Sequence, residues 1–343
     1  MVSLLMKLET EKVFKQFLQD VAGYYGADVT RLENGQSFAI ETPKEIHLLG
    51  NIQKQADFLQ KINYVQVDDA KGQLIFGATE GIITGRKEGA RYYGGVEPSG
   101  YGYECVETDS GVLIPWARLD QWGHLAPQFA QMWADYVQRQ IALDEIMIGF
   151  YGESVGKTTN DPQGKDVNKG WMQFARENKP SQVLTKGKTE NIIRIFGENA
   201  DYKNLDELAY DLKQGLHERH RDAGDLVFLV GADLVAKEAS VVYRGNSLIA
   251  TEKAALTTHD LMKTFGGMPA MIVPNMPGRA AIVTSLDNLS IYTQKGSIRR
   301  SFREDQEAKA IKDSYYRNAA YAVEDLGKFA AIEFKNVKLE NEE

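Results

Sequence analysis

The stretch YVQVDDAKGQLIFGATEGIITGRKEGARYYGGVEPSGYGYECVETDSGVLIPW, residues 64–116, holds ten glycines, many β-branched and aromatic residues, and almost no helical periodicity. Strand formers alternate with turn residues in QLIFGATEGIITG and YGYECVETDSGVLIPW, while GRKEGARYYGGVEPSG between them reads as an exposed tip. Loops beyond about 12 to 15 residues are uncommon inside compact domains and tend to be functional. A long β-hairpin that leaves the body of the fold is therefore expected here.

Downstream, PQFAQMWADYVQRQIALDEIMIG, residues 127–149, is the longest helical stretch, with Pro127 suited to a first turn. It would span roughly 34 Å at about 1.5 Å per residue. Phe129, Met132, Trp133, Tyr136, Val137, Ile141 and Ile146 give it a broad apolar face opposite Asp135, Gln138 and Arg139, as a spine requires. Residues 151–168 are turn-rich, NKGWMQFARENK is helical, and NIIRIFG is a strand.

From 201 to 287 the pattern alternates: helix DYKNLDELAYDLKQGLHERH, strand DLVFLVG, helices ADLVAKEA and THDLMKTFG, strands PAMIVP and AAIVTSL. This predicts a second domain of α/β type. NLSIYTQKGSIRRSFRED and YYRNAAYAVEDLGKFAAIEFKNVKLE read as strands separated by the polar stretch QEAKAIKDS, returning to the first domain.

Upstream, residues 9–24 set Val13, Phe14, Phe17, Leu18 and Val21 on one helical face before Gly23 and Gly26, the pattern of an amphipathic arm. Residues 26–50 mix Gly, Asn, Thr and Pro43 with scattered apolar residues, an extended connection without a core of its own. NIQKQADFLQKIN then reads as one short helix carrying Ile52, Ala56, Leu59 and Ile62.

Composition narrows the function. With 343 residues, 43% hydrophobic and 26% charged, the chain is a globular protein of one or two domains. Forty basic against 48 acidic residues leave a formal charge of -8, which argues against a broad surface for gripping nucleic acid. Cys105 is the single cysteine, so no intramolecular disulfide or CxxC zinc site can form, and a reducing compartment fits. The apolar start MVSLLM is interrupted by Lys7 too soon for a secretory signal, no stretch approaches 18 uncharged apolar residues, and a cytosolic site of synthesis is expected. No repeat of 20 to 50 residues is visible.

Several spellings tempt toward chemistry. Gly152, Glu153, Ser154, Val155 and Gly156 give G-x-S-x-G, but a nucleophile elbow needs a strand before and a helix after. Gly152, Gly156, Lys157 and Thr158 imitate a phosphate loop with three residues, not four, between the glycines. His217 and His220 stand three apart where a metalloprotease helix needs four. Cys105 reads as a small buried residue, since no base is nominated beside it. Asp68 with Asp69, and Glu304 with Asp305, are adjacent, which on a strand sends them to opposite faces. Arg86, Lys87 and Arg91 lie in the expected tip, either solvated or pairing with a neighbour's carboxylates.

The order of parts resembles the HK97-like capsid fold, and the resemblance extends to sequence. ADFLQKIN at 56–63 with Lys71 and Gly72, YEC at 103–105, WARLDQW at 116–122 and RQIALDEIMIGFYG at 139–152 are similar to the Peduovirus-type (P2-like, gpN family) major capsid proteins. GW at 170–171, DYKNLDELAYD at 201–211, DLVFLVGADLV at 225–235, NLSIYTQKGSIRR at 288–300 and VEDL at 323–326 continue in that family's order. The likeness covers nearly everything after about Gln36 and lapses at GESVGKTT.

The resemblance implies an α+β fold with an N-terminal arm at 1–50 and an extended loop at 64–123. It implies a peripheral domain from 51–63, 124–200 and 288–343 around a spine helix at 127–149, and an axial domain at 201–287. The implied function is that of a major capsid protein, not an enzyme, building the icosahedral head of a tailed bacteriophage around double-stranded DNA. The alternatives are a phosphate-loop-like nucleotide-binding enzyme and a non-viral nanocompartment shell. No catalytic, cofactor or metal residue is implied. Implied partners are further copies in hexamers and pentamers, a scaffolding protein that is also a protease, a portal protein and non-specifically held DNA, with no membrane. Trimming of the arm is expected near Ser37 and Phe38, within SFAIETP, and inter-subunit contacts at Lys71, Arg86, Lys87 and Arg91.

Overall fold

The computed structural model of the chain describes residues 7–74, 84–93, 100–123, 128–197, 199–244, 264–339 and 342. It opens with α1 (Leu8–Tyr25), closed by Gly26 at φ 69°, a left-handed turn that glycine adopts without strain. Next come α2 (Val29–Glu33), capped by the Asp28 carboxylate accepting from the Thr30 amide, β1 (Phe38–Ala39), α3 (Thr42–Lys54) and α4 (Asp57–Lys61). The region between them and the spine contains β2 (Asn63–Val67), β3 (Lys71–Gln73), β4 (Gly102–Glu104), β5 (Val106–Pro115) and α5 (Trp116–Gly123). The spine itself is α6 (Phe129–Tyr151), and α7 (Trp171–Asn178) packs beside it where bare Gly149 admits the Trp171 ring.

There follow β6 (Val183–Leu184), β7 (Ile193–Ile195), α8 (Leu205–Gln214), β8 (Leu226–Val230), α9 (Ala232–Arg244), β9 (Thr264–Phe265), β10 (Met268–Met271) and β11 (Ala281–Ser285). The chain closes with β12 (Leu289–Gln294), β13 (Arg299–Asp305), β14 (Ala310–Val323), β15 (Ala330–Ile332) and β16 (Val337–Leu339).

Strand β14 organises the first sheet. Along one side it pairs with all of β5, from Ala310↔Pro115 to Ala319↔Val106. Along the other it pairs with β13 and then β12, which lie end to end and are separated by a turn in which Gly296 has φ 69°. Outside these, β1 pairs with β13 and β2 runs parallel to β12.

Two buried ion pairs line the inner face of this sheet, and each reaches α6, one through a hydrogen bond from Trp133 and the other through Glu145 itself. Asp313 accepts from Trp133 Nε1 at 2.7 Å and from Arg300 at 2.8 and 3.1 Å, and the Arg300 guanidinium lies over the Phe302 and Tyr315 rings. Glu145 accepts from Arg317 at 2.8 Å and from the Tyr64 hydroxyl at 2.6 Å, while Arg317 also donates to the Ser110 hydroxyl at 2.8 Å. One cluster thereby ties α6 to β14, β2 and β5. Burial pushes the Glu145 carboxyl up, with Arg317 opposing it, and raises the Tyr64 hydroxyl well above its usual range.

A second sheet runs in the order β6-β15-β11-β8-β10-β9, with β10 parallel to β8 and β15 parallel to β6. Its own core gathers Leu205, Leu208 and Leu212 of α8, Leu226, Phe228 and Val230 of β8, and Leu234 of α9. Strand β16 pairs with β7 beside it.

Several expectations change. Residues 26–50 have no core of their own, as expected, but they are not a bare connection: Leu32 of α2, Phe38 of β1, Ile40, and Leu48 and Leu49 of α3 are buried in the core of the first sheet and the spine. The buried Glu45 carboxylate of α3 accepts the Gly296 and Ile298 amides of the β12–β13 turn, a tether that no periodicity announces. The expected helix 51–63 is broken at Gln55, so that α3 and α4 are separate. β2, β5 and α5 belong to the body, which confines the excursion to the segment from β3 to β4. QEAKAIKDS is not a linker, since β14 begins at Ala310 with Ile311 and Asp313 pointing inward. The second sheet recruits β6 from the expected spine region and β15 from the end of the chain, beyond the 201–287 limits. The expected helix THDLMKTFG and the Pro127 start lie outside the described residues, except Thr264 and Phe265, which form β9, and Gly266, which turns out of it.

Replacing Glu145 with alanine would leave Arg317 charged and buried without its carboxylate, a cost of about 3–5 kcal/mol. Urea unfolding of the purified subunit should show a correspondingly lower midpoint, and an unchanged midpoint would contradict the pinning role.

Candidate functional site

The loop leaving α6 carries both enzyme-like spellings. The amides of Glu153 and Ser154 donate to the Lys165 carbonyl at 2.8 and 3.0 Å, and the Gly156 amide donates to the Asp166 carbonyl at 2.7 Å. The Asp166 carboxylate accepts from the Asn160 and Asp161 amides at 2.8 and 3.2 Å, bonds that hold its pKa below the usual carboxylate value. Amides that would cradle a phosphate are thus already occupied by the chain's own oxygens. A helix precedes this loop where a strand is required, and no helix begins before α7, so neither an elbow nor a phosphate loop is built.

His217 and His220 sit in turns after α8, and His220 Nε2 lies 2.8 Å from Asp325 Oδ2. Among the described residues no group of three or more His, Cys, Asp or Glu gathers to hold a metal. Asp68 pairs with Lys295 at 2.9 Å and Asp305 with Lys312 at 2.6 Å, both structural contacts. Cys105 is buried at the foot of the excursion, its amide donating to the Ala70 carbonyl, and burial pushes its thiol up to about 11.

The surfaces that remain are those offered to other molecules. β3 and β4 form a stalk closed by Lys71–Glu104 at 2.6 Å, and the Tyr103 ring stacks on Tyr292 of β12 at 4.5 Å. Lys71 therefore has a partner inside its own chain. Beyond the stalk, every residue from 84 to 93 is exposed, Arg86, Lys87 and Arg91 included. An antiparallel bridge between Lys87 and Ala90, turning at Gly89 with φ 73°, shapes this tip.

The arm is docked on the body. Phe17 of α1 packs its ring on Trp133 at 5.0 Å, Phe302 at 5.4 Å and Phe129 at 5.8 Å, and the Thr10 hydroxyl donates to Asp120 of α5. At the expected trimming position Ser37 is exposed, whereas Phe38 is buried and paired with Arg300. The two buried ion pairs escaped the sequence reading because a lone Asp or Arg within a strand pattern carries no signal of its own. Their positions 313 and 317 share the buried parity of β14, which is the one clue available.

These parts, a docked arm, an exposed hairpin, a spine helix and two sheets, define the class of tailed-phage capsid subunits with the HK97-like fold. A solved structure of the satellite phage P4 procapsid including size determination (Sid) protein matches with a TM-score of 0.74 at 26% identity, covering 94% of this chain and 98% of that one. The capsid of an empty GTA particle shares the fold, with a TM-score of 0.50 at 13% identity, covering 81% of this chain and 89% of that one. The chain belongs to the P2 family of phage major capsid proteins, whose family model matches residues 13–334. It is 30% identical to the capsid proteins of Escherichia phage P2, over 96% of this chain and 95% of that protein. It is 28% identical to the major capsid protein of Serratia phage KSP20, over 86% and 88%.

A thiol at about 11 is ionised far less at pH 8 than an ordinary cysteine near 8.5, by roughly a hundredfold. Iodoacetamide should accordingly alkylate Cys105 at least about tenfold more slowly in the native subunit than in urea, the greater nucleophilicity of a high-pKa thiolate offsetting part of the ionisation deficit, and equal rates would contradict its burial. Ser154→Ala should leave folding and assembly unchanged, and a fluorophosphonate should not label Ser154, as read by intact mass.

Proposed function

We propose that this chain self-assembles, as hexamers and pentamers, into the icosahedral head of a tailed bacteriophage that encloses double-stranded DNA. The observation that carries this reading is the hairpin tip at 84–93, exposed at every residue on a body whose two cores are complete without it. Among the described residues none of these ten joins either core, which leaves the projection available to a sister subunit. The first sheet with α6 serves as the peripheral domain and the second sheet as the axial domain. The capsid family is structural, and the chain acts as a building block and not as a catalyst.

Assembly on this reading uses a scaffolding protein with protease activity, a portal protein at one vertex and the host cytoplasm as its site. The satellite phage P4 procapsid, solved including its size determination protein, supports a partner during assembly. The net charge of -8 suits an inner wall that holds packaged DNA only weakly and non-specifically. Trimming at Ser37–Phe38 would remove α1 and α2 and uncover Trp133 and Phe302, so the docked arm serves the immature shell. Many modest contacts per subunit, summed in a closed shell, provide its stability.

Negative-stain microscopy of the chain coexpressed with its scaffolding protein should show closed shells, and soluble monomers alone would overturn the reading. Deleting Arg86 to Gly95 should leave a folded, soluble subunit that closes no heat-resistant shell. Intact-mass spectrometry of mature particles should find chains beginning near Phe38, and a Met1 terminus there would refute trimming.

A further inference from the structure

A two-stranded ribbon carries the chain between the first sheet and the second. β12 pairs antiparallel with β14 as far as Leu289↔Val323, and the same two stretches of chain pair again, as β11 and β15, at Val283↔Ala330. Between those rungs, residues 284–288 and 324–329 leave their mutual ladder and cross from one sheet to the other. The buried Asn288 side chain bridges the gap. Its Oδ1 accepts the Asp325 amide at 2.7 Å and its Nδ2 donates to the Asp325 carbonyl at 2.9 Å, the two bonds of a ladder rung made by a side chain. Each body grips one crossover. Asn63 of β2 donates to the Asp287 carbonyl, while the His217 amide donates to the Gly327 carbonyl and His220 pairs with Asp325. A cavity of about 320 Å³ opens here, lined by Asn63, His220, Ser285, Asp287, Glu324 and Lys328 among others, so close packing alone does not fix the angle between the sheets.

The stalk of the excursion is bound to the same ribbon at the other end of β12. The Tyr103 ring lies across bare Gly72, where an added Cβ would come within 2.9 Å of it, and it stacks on Tyr292 at 4.5 Å with 9° between the ring planes. Its hydroxyl donates to the Asp69 carbonyl at 3.3 Å. Beside it Gln294 donates to the Asp68 carbonyl, and Lys295 pairs with the Asp68 carboxylate. Tyr292 reaches back toward the joint. Its hydroxyl donates at 2.7 Å to the buried carboxylate of Glu324, whose own amide donates to the Asn288 carbonyl at 3.0 Å. Contacts therefore run without a gap from the stalk to the Asn288 rung, through Tyr103, Tyr292 and Glu324.

We propose that Tyr103, Tyr292 and Glu324 couple the direction of the outward hairpin to the angle between the two sheets, with Asn288 as the pivot. Coupling of this kind is reciprocal: loosening the stalk loosens the pivot, and loosening the pivot loosens the stalk. A subunit whose hairpin is held in one direction then carries its second sheet at the matching angle, so the two adjust together wherever the shell changes curvature. That use rests on the shell reading above, whereas the coupling belongs to the single chain and is measured on it.

The full-length soluble chain offers a readout at each end. Hydrogen exchange of peptides covering 284–290 and 324–329 reports on the pivot. Alkylation of Cys105, the single cysteine, reports on the foot of the stalk, where its amide is bonded to the Ala70 carbonyl. Tyr103→Leu removes the stack without touching the joint, and Tyr292→Phe removes only the hydroxyl. Each should speed exchange at the pivot about tenfold while the β5–β14 ladder exchanges as in the parent. Added to Tyr292→Phe, Tyr103→Leu should change pivot exchange by less than about twofold, because the route is already cut. In the reverse direction, Asn288→Ala should speed alkylation of Cys105 by about threefold or more, and Asn288→Asp serves in its place if that chain does not fold. Pivot exchange indifferent to Tyr103→Leu, full additivity of the two tyrosine changes, or Cys105 alkylation indifferent to the Asn288 change, in chains whose ladder stays protected, would overturn the proposal. Failure of the parent to form shells would bear on the shell reading alone.

Discussion

The structure depends on two charges buried on one strand. Asp313 and Arg317 both face inward from β14, and each meets an opposite charge together with a polar partner from α6 or its surroundings. Removing ions from water is costly, and only close pairing with further hydrogen bonds offsets it. Here the pairing is directional as well: Asp313 fits only where Trp133 and Arg300 converge, and Arg317 only where Glu145 and Ser110 do. The spine helix is therefore fixed in position along the sheet as well as held against it, which an apolar seam alone would not specify.

That registration explains why distant segments of the chain can build one body. β2 and β5, which bracket the excursion, are locked through Tyr64 and Ser110 to the same cluster that receives the last long strand. The excursion is thus anchored at both feet before it leaves the sheet, and its glycines can serve its outward course without loosening the base. The arm adds an aromatic layer against Trp133 and Phe302, where the spine meets the sheet.

The spine, the arm helix and the alternation of the second domain were legible because each follows one strong period of apolar residues. α6 and α1 lie close to their expected limits for that reason. What could not be read were elements whose identity comes from their neighbours. Residues 26–50 look like a connection until Glu45 finds the Gly296 and Ile298 amides, and AIKDS looks polar until Asp313 finds its arginine. Sheet membership was likewise hidden, because β15 is six to seven residues past β14 in sequence yet lies in the other sheet. In the candidate site the basic tip is legible from composition alone, whereas the Lys71–Glu104 closure of its stalk emerges only once β3 and β4 are paired.

The unbroken ladder between β5 and β14 has a mechanical consequence. A tug on the hairpin directed along β5 loads its rungs together, in shear, so that they must fail as a group instead of parting one after another as in a zipper. The neighbouring turn at Gly296, held by Glu45, divides the opposite flank of β14 into two shorter spans. The long flank is then the tendon of the subunit, and tension arriving through the hairpin passes into the body without unravelling the sheet.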